Sequence, residues 1–327
     1  MPLPTGADMH VNAMLTDLSV GWMTDPSKYI SADAFPVVPV NKQTGLYAEF
    51  DRGDFLRDEA QIRTPGAKVA MGGYRVTTTS SYLCDVYGYG KRVADQDRDN
   101  SDDPFKPDID AGKWLTQKRR LKEEVAWTTA FFTTSVWTGS TTGTDLVAGT
   151  DFVAFDDPAS DIIGQFDDQS EEIESNTGQT PNTLCVNRRG WNAIKNHPDI
   201  VDRLKGMGSP ERPAIANQAN VAAILELDRV LIARAPQNTA AEGATVTTDY
   251  IAGNHALLCY AAPSPSLDAP SAGYTFRWTP QDGGMGGGIV ETYREDDRKS
   301  DRHEIQFAFQ HKVVSAICGA FFSTVVS

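Results

Sequence analysis

Trp114, Leu121, Val125, Phe132 and Val136 recur at helical spacing, with Lys118 and Thr128 on the same stripe, and predict a long amphipathic helix from about Pro107 to Trp137. Pro107 suits a first helical position, and Asp108 and Asp110 favour a helix N-terminus. At 1.5 Å per residue the helix would be about 45 Å long, close to the ~50 Å diameter of a compact chain of this size, and would act as a spine. Ahead of it the period changes from helical to alternating. Leu46–Phe50 and Tyr74–Thr79, with Tyr82–Tyr87, read as the arms of an extended hairpin around a middle rich in both charges: Asp51, Arg52, Asp54, Arg57, Asp58, Glu59, Arg63 and Lys68. A two-stranded hairpin is marginal alone in water, and ordering each residue costs about 1–2 kcal/mol of backbone entropy. A neighbouring subunit lying against it would offset that cost.

The stretch from Tyr29 to Val40 reads as extended, because its prolines exclude helix, and it needs a surface to lie on. Asp95–Asp103 places carboxylates at positions one, three, five and nine of a calcium-loop pattern. Asn100 replaces the required glycine and Lys106 the closing glutamate, so an acidic turn before the spine fits better. Beyond the spine, Phe152–Phe155 suggests a short strand and Ala159–Asn176 a second helix. Leu184–Val186 suggests a buried strand, Arg189–His197 a helix stopped by Pro198, and Asn220–Leu225 another short helix. Arg229–Ala233 and Ala256–Tyr260 read as core strands of an α/β subdomain. The glycine run Gly283–Gly288 lacks a phosphate-loop spacing and reads as a linker. Ile305, Phe307 and Phe309 alternate with polar residues in a strand from Glu304 to Gln310, and Val313–Val326 is expected to complete the same sheet.

Composition narrows the function. The 327 residues, 40 % hydrophobic, allow a real core, and the start Met1-Pro-Leu-Pro-Thr-Gly lacks the pattern of a secretion signal. A formal charge of −14 argues against a protein built mainly to grip phosphate backbones, whereas an acidic inner wall would let a container hold DNA without adhesion. Cys84, Cys185, Cys259 and Cys318 stand singly, without zinc spacing, and read as buried thiols. Neither a serine-hydrolase elbow nor a zinc-protease helix motif is present, and His10, His197, His255, His303 and His311 are scattered. A Cys185–His197 pair is conceivable, but one lies in an apolar strand and the other at a helix end. No catalytic residue, cofactor or metal is expected.

Taken together, Tyr29–Val40, the charged loop with Arg63-Thr-Pro-Gly66, Tyr82–Tyr87, the spine helix, and Thr177–Val186 ahead of Trp191 resemble the major capsid proteins of tailed bacteriophages with the HK97-type fold. The resemblance covers nearly the whole chain and implies an α+β architecture: an N-terminal arm (1–44), an extended loop (45–80), a peripheral domain with the spine (81–175 and 289–327), and an axial α/β domain (176–288). It implies self-assembly into hexamers and pentamers of an icosahedral head enclosing double-stranded DNA, with portal, scaffolding and decoration proteins as partners. The location implied is the virion, assembled in the host cytoplasm without membrane.

Some family members carry a scaffolding segment, and some weld subunits through Lys–Asn isopeptide bonds. The short start points to a separate scaffolding protein. Lys68 lies on the appropriate loop, but no Asn partner or catalytic Glu is identifiable, so noncovalent assembly is expected. Arg52, Arg57, Arg63 and Lys68 with Asp54, Asp58 and Glu59 are the expected intersubunit contacts. The alternatives are an encapsulin-like compartment, whose particles would hold cargo protein, a tail-tube or decoration protein, which the long helix disfavours, and a soluble α/β hydrolase, which would show turnover as a small oligomer.

Overall fold

The computed structural model describes residues 23–101, 106–207, 216–265, 270–282 and 288–326. His10, the start of the arm, Asp102 and Asp103 of the calcium-like pattern, and Gly283–Gly287 lie outside the described residues.

In chain order the first half contains β1 (Val37–Val40), β2 (Thr44–Leu46), β3 (Glu49–Phe50), α1 (Arg52–Phe55), β4 (Val76–Thr77), β5 (Ser81–Leu83), β6 (Asp85–Ala94), α2 (Asp95–Asp99), α3 (Pro107–Phe131), β7 (Leu146–Val147) and α4 (Ile162–Thr177). Then follow β8 (Thr183–Asn187), α5 (Arg188–Asn196), α6 (Pro198–Met207), α7 (Gln218–Ile224), β9 (Arg229–Ala233), β10 (Pro236–Asn238), β11 (Thr248–Tyr250) and β12 (Ala256–Cys259). The chain ends with β13 (Gly273–Trp278), α8 (Thr279–Asp282), β14 (Ile289–Glu295), β15 (Ser300–Val313) and β16 (Gly319–Ser323).

Two sheets organise the molecule. In the long sheet, β15 pairs antiparallel with β6 on one side and with β14 and β13 end to end on the other, and β1 adds in parallel outside β13. The Tyr29–Val40 stretch thus divides: Val37–Val40 joins the edge of the long sheet, while Ile30 and Phe35 pack against the second sheet. The second sheet runs β7-β16-β12-β8-β9. One of its faces packs on α4–α7 through Leu184, Val186, Phe166, Trp191, Val221 and Phe322. Its other face, with Cys185, Leu257, Cys259 and Phe321, is covered by Ile30, Phe35, Trp127, Phe131 and Trp137. Because both faces are covered, its strands are continuously apolar.

The spine joins the sheets: Leu115 packs on Ile305, Phe307 and Phe309 of the long sheet, while Trp127 and Phe131 pack against the second. With 25 residues it is about 37 Å long, shorter than the 107–137 expectation. It stops at Phe131 because the following turn carries Ser135 in the left-handed region (φ 65°) and the Trp137 indole donates to the Phe131 carbonyl at 2.7 Å, capping an orphan acceptor. Its buried stripe also differs from the predicted one. Ala111, Leu115, Arg119, Glu123, Glu124, Trp127 and Phe131 are buried, whereas Trp114, Leu121 and Val125 are only partly covered. Three charges on the inner stripe hid the true period.

Three smaller expectations are corrected. Phe152–Phe155 forms no strand; Phe152 makes a single bridge to Ala148 and the phenyl rings fill the core. The second helix begins at Ile162, where the Asp161 carboxylate accepts the Gly164 N–H at 2.9 Å as an N-cap. The segment after Val313 does not complete the long sheet: a turn through Ala316–Cys318 redirects it, and β16 pairs with β12 and β7 of the second sheet. Glu304–Gln310 does form a strand, extended to Ser300–Val313, with Ile305, Phe307 and Phe309 buried on the spine side.

Candidate assembly surface

The hairpin protrudes from the long sheet and is paired only near its root. β2 pairs with β5 and β3 with β4, both antiparallel, whereas Asp85 onward leaves the hairpin for the long sheet as β6. Its root is fixed on the sheet face opposite the spine, where Tyr82 stacks on Phe276 at 4.8 Å and 9°, and Tyr47 at 5.8 Å. Beyond the root, between residues 51 and 75, regular structure is limited to the single turn α1, capped by Asp51 through the Gly53 N–H at 2.8 Å. A trio of rings, Phe50, Phe55 and Tyr74, with centroids 5.4–5.8 Å apart, is its own small core. The rest is uncovered. Met71 is 96 % exposed, Val69 64 % and Leu56 60 %, and Ile62 has no shelter at all. Bare apolar side chains on an extended loop make it a candidate interaction surface.

The charged residues singled out from the sequence lie on this loop. Arg57 pairs with Glu59 at 3.2 Å and Asp54 at 3.7 Å, Arg63 donates to the Ala67 carbonyl at 2.7 Å, and Asp58 accepts the Ala60 N–H at 3.3 Å. Arg52 reaches back to the Asn176 carbonyl at the end of α4 at 2.6 Å. Lys68 is exposed on the same loop. Arg75, absent from the sequence-based set, pairs with Asp51 at 2.5 Å and Asp54 at 3.2 Å, and its hydrogen bonds hold the Asp54 carboxyl below the usual range. Its place directly after Tyr74 in the returning arm was the available signal.

Two charged layers fix the frame from which the loop projects. At the spine N-terminus, Arg98 donates to both Asp108 oxygens at 2.9 Å and to Asp301 at 2.7 Å, and Arg294 grips Asp95 with two bonds of 2.7 Å. Deeper, between α3 and the long sheet, Glu123 accepts from Arg119 (3.1 Å) and from Arg277, which also pairs with Asp282 at 3.1 Å. All four are buried, and burial pushes the Asp282 carboxyl up despite its partner. Beside them Glu124 accepts the backbone N–H groups of Ile30 and Ser31 at 3.0 and 2.9 Å, tying the arm to the spine.

The described histidines and cysteines are packed into structure. His255 packs between Phe132 and Phe321, His303 bridges Thr292 and Asp108, and His311 bonds Thr275, its pKa held at about 3 by burial. His197 bonds the Asp157 carbonyl at 3.2 Å, and Cys185 lies in the second sheet beside Cys259; all four cysteines are free and buried. Among the described residues no group of His, Cys, Asp and Glu is suited to hold a metal ion, and no helix is long and apolar enough to cross a membrane.

Two sheets bridged by one spine helix, with a protruding hairpin, define the HK97-type capsid fold, and the chain resembles the major capsid proteins of tailed phages. It is 22 % identical over 200 residues to the major capsid protein of Burkholderia phage BcepMu, a match covering 60 % of this chain and 61 % of that relative's length. A phage-related protein from Bordetella bronchiseptica has a similar structure (TM-score 0.67, 21 % identity, 92 % of this chain and 93 % of the other). So does the mature capsid of bacteriophage PhiM1 (TM-score 0.59, 15 %, 97 % and 92 %). The SrpI encapsulin complex of Synechococcus elongatus follows (TM-score 0.51, 11 %, 100 % and 98 %). No protein-family model matches the chain. By their names, the BcepMu and PhiM1 relatives are phage capsid proteins.

Proposed function

We propose that copies of this chain assemble as hexamers and pentamers into an icosahedral phage head that encloses double-stranded DNA. The observation that carries this reading is the loop between residues 51 and 75, which holds exposed apolar and charged side chains on a fold shared with phage capsids. Such a loop gains its missing contacts when another copy lies beneath it, and a closed shell repeats each weak contact many times. Arg52, Arg57, Arg63 and Lys68 with Asp54, Asp58 and Glu59 are then positioned to exchange partners between copies. Each exposed pair contributes about 0–1 kcal/mol, so the apolar residues supply most of the cohesion. Portal, scaffolding and decoration proteins complete the set of partners in this reading, and assembly takes place in the host cytoplasm.

Size exclusion followed by electron microscopy of the purified chain tests the proposal. Closed particles of uniform diameter are expected; a small soluble oligomer that never forms particles counts against it. Particles from the native source should protect DNA from nuclease, whereas protein cargo in its place would favour the encapsulin-like alternative.

A further inference from the structure

One flank of the spine carries lysines that form no ion pair among the described residues. Trp114, Lys118 and Lys122 follow one another a helical turn apart, and Lys91 of β6 stands beside them. The Lys91 and Lys118 ammonium groups lie 5.9 and 5.4 Å from the Trp114 ring centre, and that of Lys122 lies 4.8 Å from Tyr87. Tyr89, 44 % exposed, packs on Trp114 at 5.1 Å. None of the three lysines makes an ion pair among the described residues, although nearby Arg92, Arg98 and Arg294 are all paired with carboxylates. A cation held over a ring keeps its charge and remains able to meet an anion.

We propose that this lysine–aromatic flank, Lys91, Lys118 and Lys122 around Trp114 and Tyr87, is the surface that meets the phosphate backbone of double-stranded DNA. The inference rests on the shell reading and names which face of the subunit contacts the enclosed polymer. From Trp114 to Lys122 the row is straight and about 12 Å long. A duplex carries one charge per ~1.7 Å of axis, so such a row meets phosphates in any register. Lysines present compact point charges rather than the bidentate forks of arginine, which suits contact without sequence preference. An acidic protein segment would have to adopt a matching extended shape to do the same. Three contacts per copy are weak, so the duplex is held collectively and stays free to slide. In place of a uniformly acidic wall, the interior gains one basic track per subunit.

The test is fluorescence anisotropy of a labelled 30-base-pair duplex with the full chain kept dilute and unassembled, as salt is raised from 50 to 200 mM. Three phosphate contacts predict an affinity loss of about 40-fold over that range. The triple variant K91Q/K118Q/K122Q should bind about tenfold or more weakly at 50 mM and lose most of the salt dependence. The charge-matched control K28Q/K42Q/K205Q should bind like the parent. Equal loss in both triples, or none in the first, overturns the proposal, as does polyglutamate competing as well as unlabelled duplex. Circular dichroism confirms that each variant is folded. Particle formation by the parent chain is scored separately: particles with unaltered duplex binding in the first triple sink this inference alone, and absence of particles sinks the shell reading.

Discussion

Replacing residues 51–75 by Asn-Gly should abolish particle formation while leaving the subunit folded. The substitution joins Phe50 to Val76, which already face each other across an antiparallel pair, through a two-residue turn suited to that geometry. Little of the subunit core is lost, because among the described residues the loop's ring packing is the Phe50–Phe55–Tyr74 trio and its side-chain tie to the body is Arg52 on the Asn176 carbonyl. The root contacts of Tyr47 and Tyr82 on Phe276 are retained. What disappears is the set of uncovered apolar residues, each worth about 1.5–3 kcal/mol when fully buried, a contribution that the proposed shell would repeat at every subunit boundary. Sedimentation velocity should therefore show the variant as single subunits or small oligomers at concentrations where the parent forms particles, with an unchanged far-ultraviolet spectrum. Normal particle yield from the variant would remove the loop from the assembly mechanism.

The second large effect lies inside the subunit. Glu123→Ala should lower stability by about 3–5 kcal/mol, because it leaves Arg119 and Arg277 buried without their shared carboxylate. The cost comes from uncompensated charge rather than lost volume, so Glu123→Gln, which preserves acceptor geometry on one side, should recover part of it. Denaturant unfolding of the unassembled chain measures both. A Glu123→Ala variant within about 1 kcal/mol of the parent would mean that the buried charges are hydrated and do not lock the spine onto the sheet.

That charged layer also explains where the sequence misled. Helical periodicity correctly signalled a spine beginning at Pro107, but of its stripe Trp114, Leu121, Val125, Phe132 and Val136 only Phe132 is fully buried, because the inner face of the helix is interrupted by the buried charges Arg119 and Glu123. Their burial depends on Arg277 and Asp282, far away in the chain, and no local window contains that information. The same holds for Glu124, whose carboxylate is matched by backbone N–H groups of the arm rather than by any side chain. Strands with one covered face, such as the Ile305–Phe309 alternation, were legible in outline, and β9 was legible at its bounds. Sheet membership was not: an apolar strand such as Gly319–Ser323 fits either sheet, and the turn at Ala316–Cys318 decides between them. On the loop, the charged set was visible as a composition anomaly, while Arg75 and the ring trio depended on how the returning arm pairs with β3.

An electron cryomicroscopy map of particles formed by the purified chain bears most directly on whether the loop is completed by another subunit. Density should place Phe55, Ile62, Val69 and Met71 against a neighbouring copy, with each side chain shielded from solvent. Particles in which those residues remain in open solvent, or a chain that stays monomeric at high concentration with the same loop ordered and bare, would contradict it.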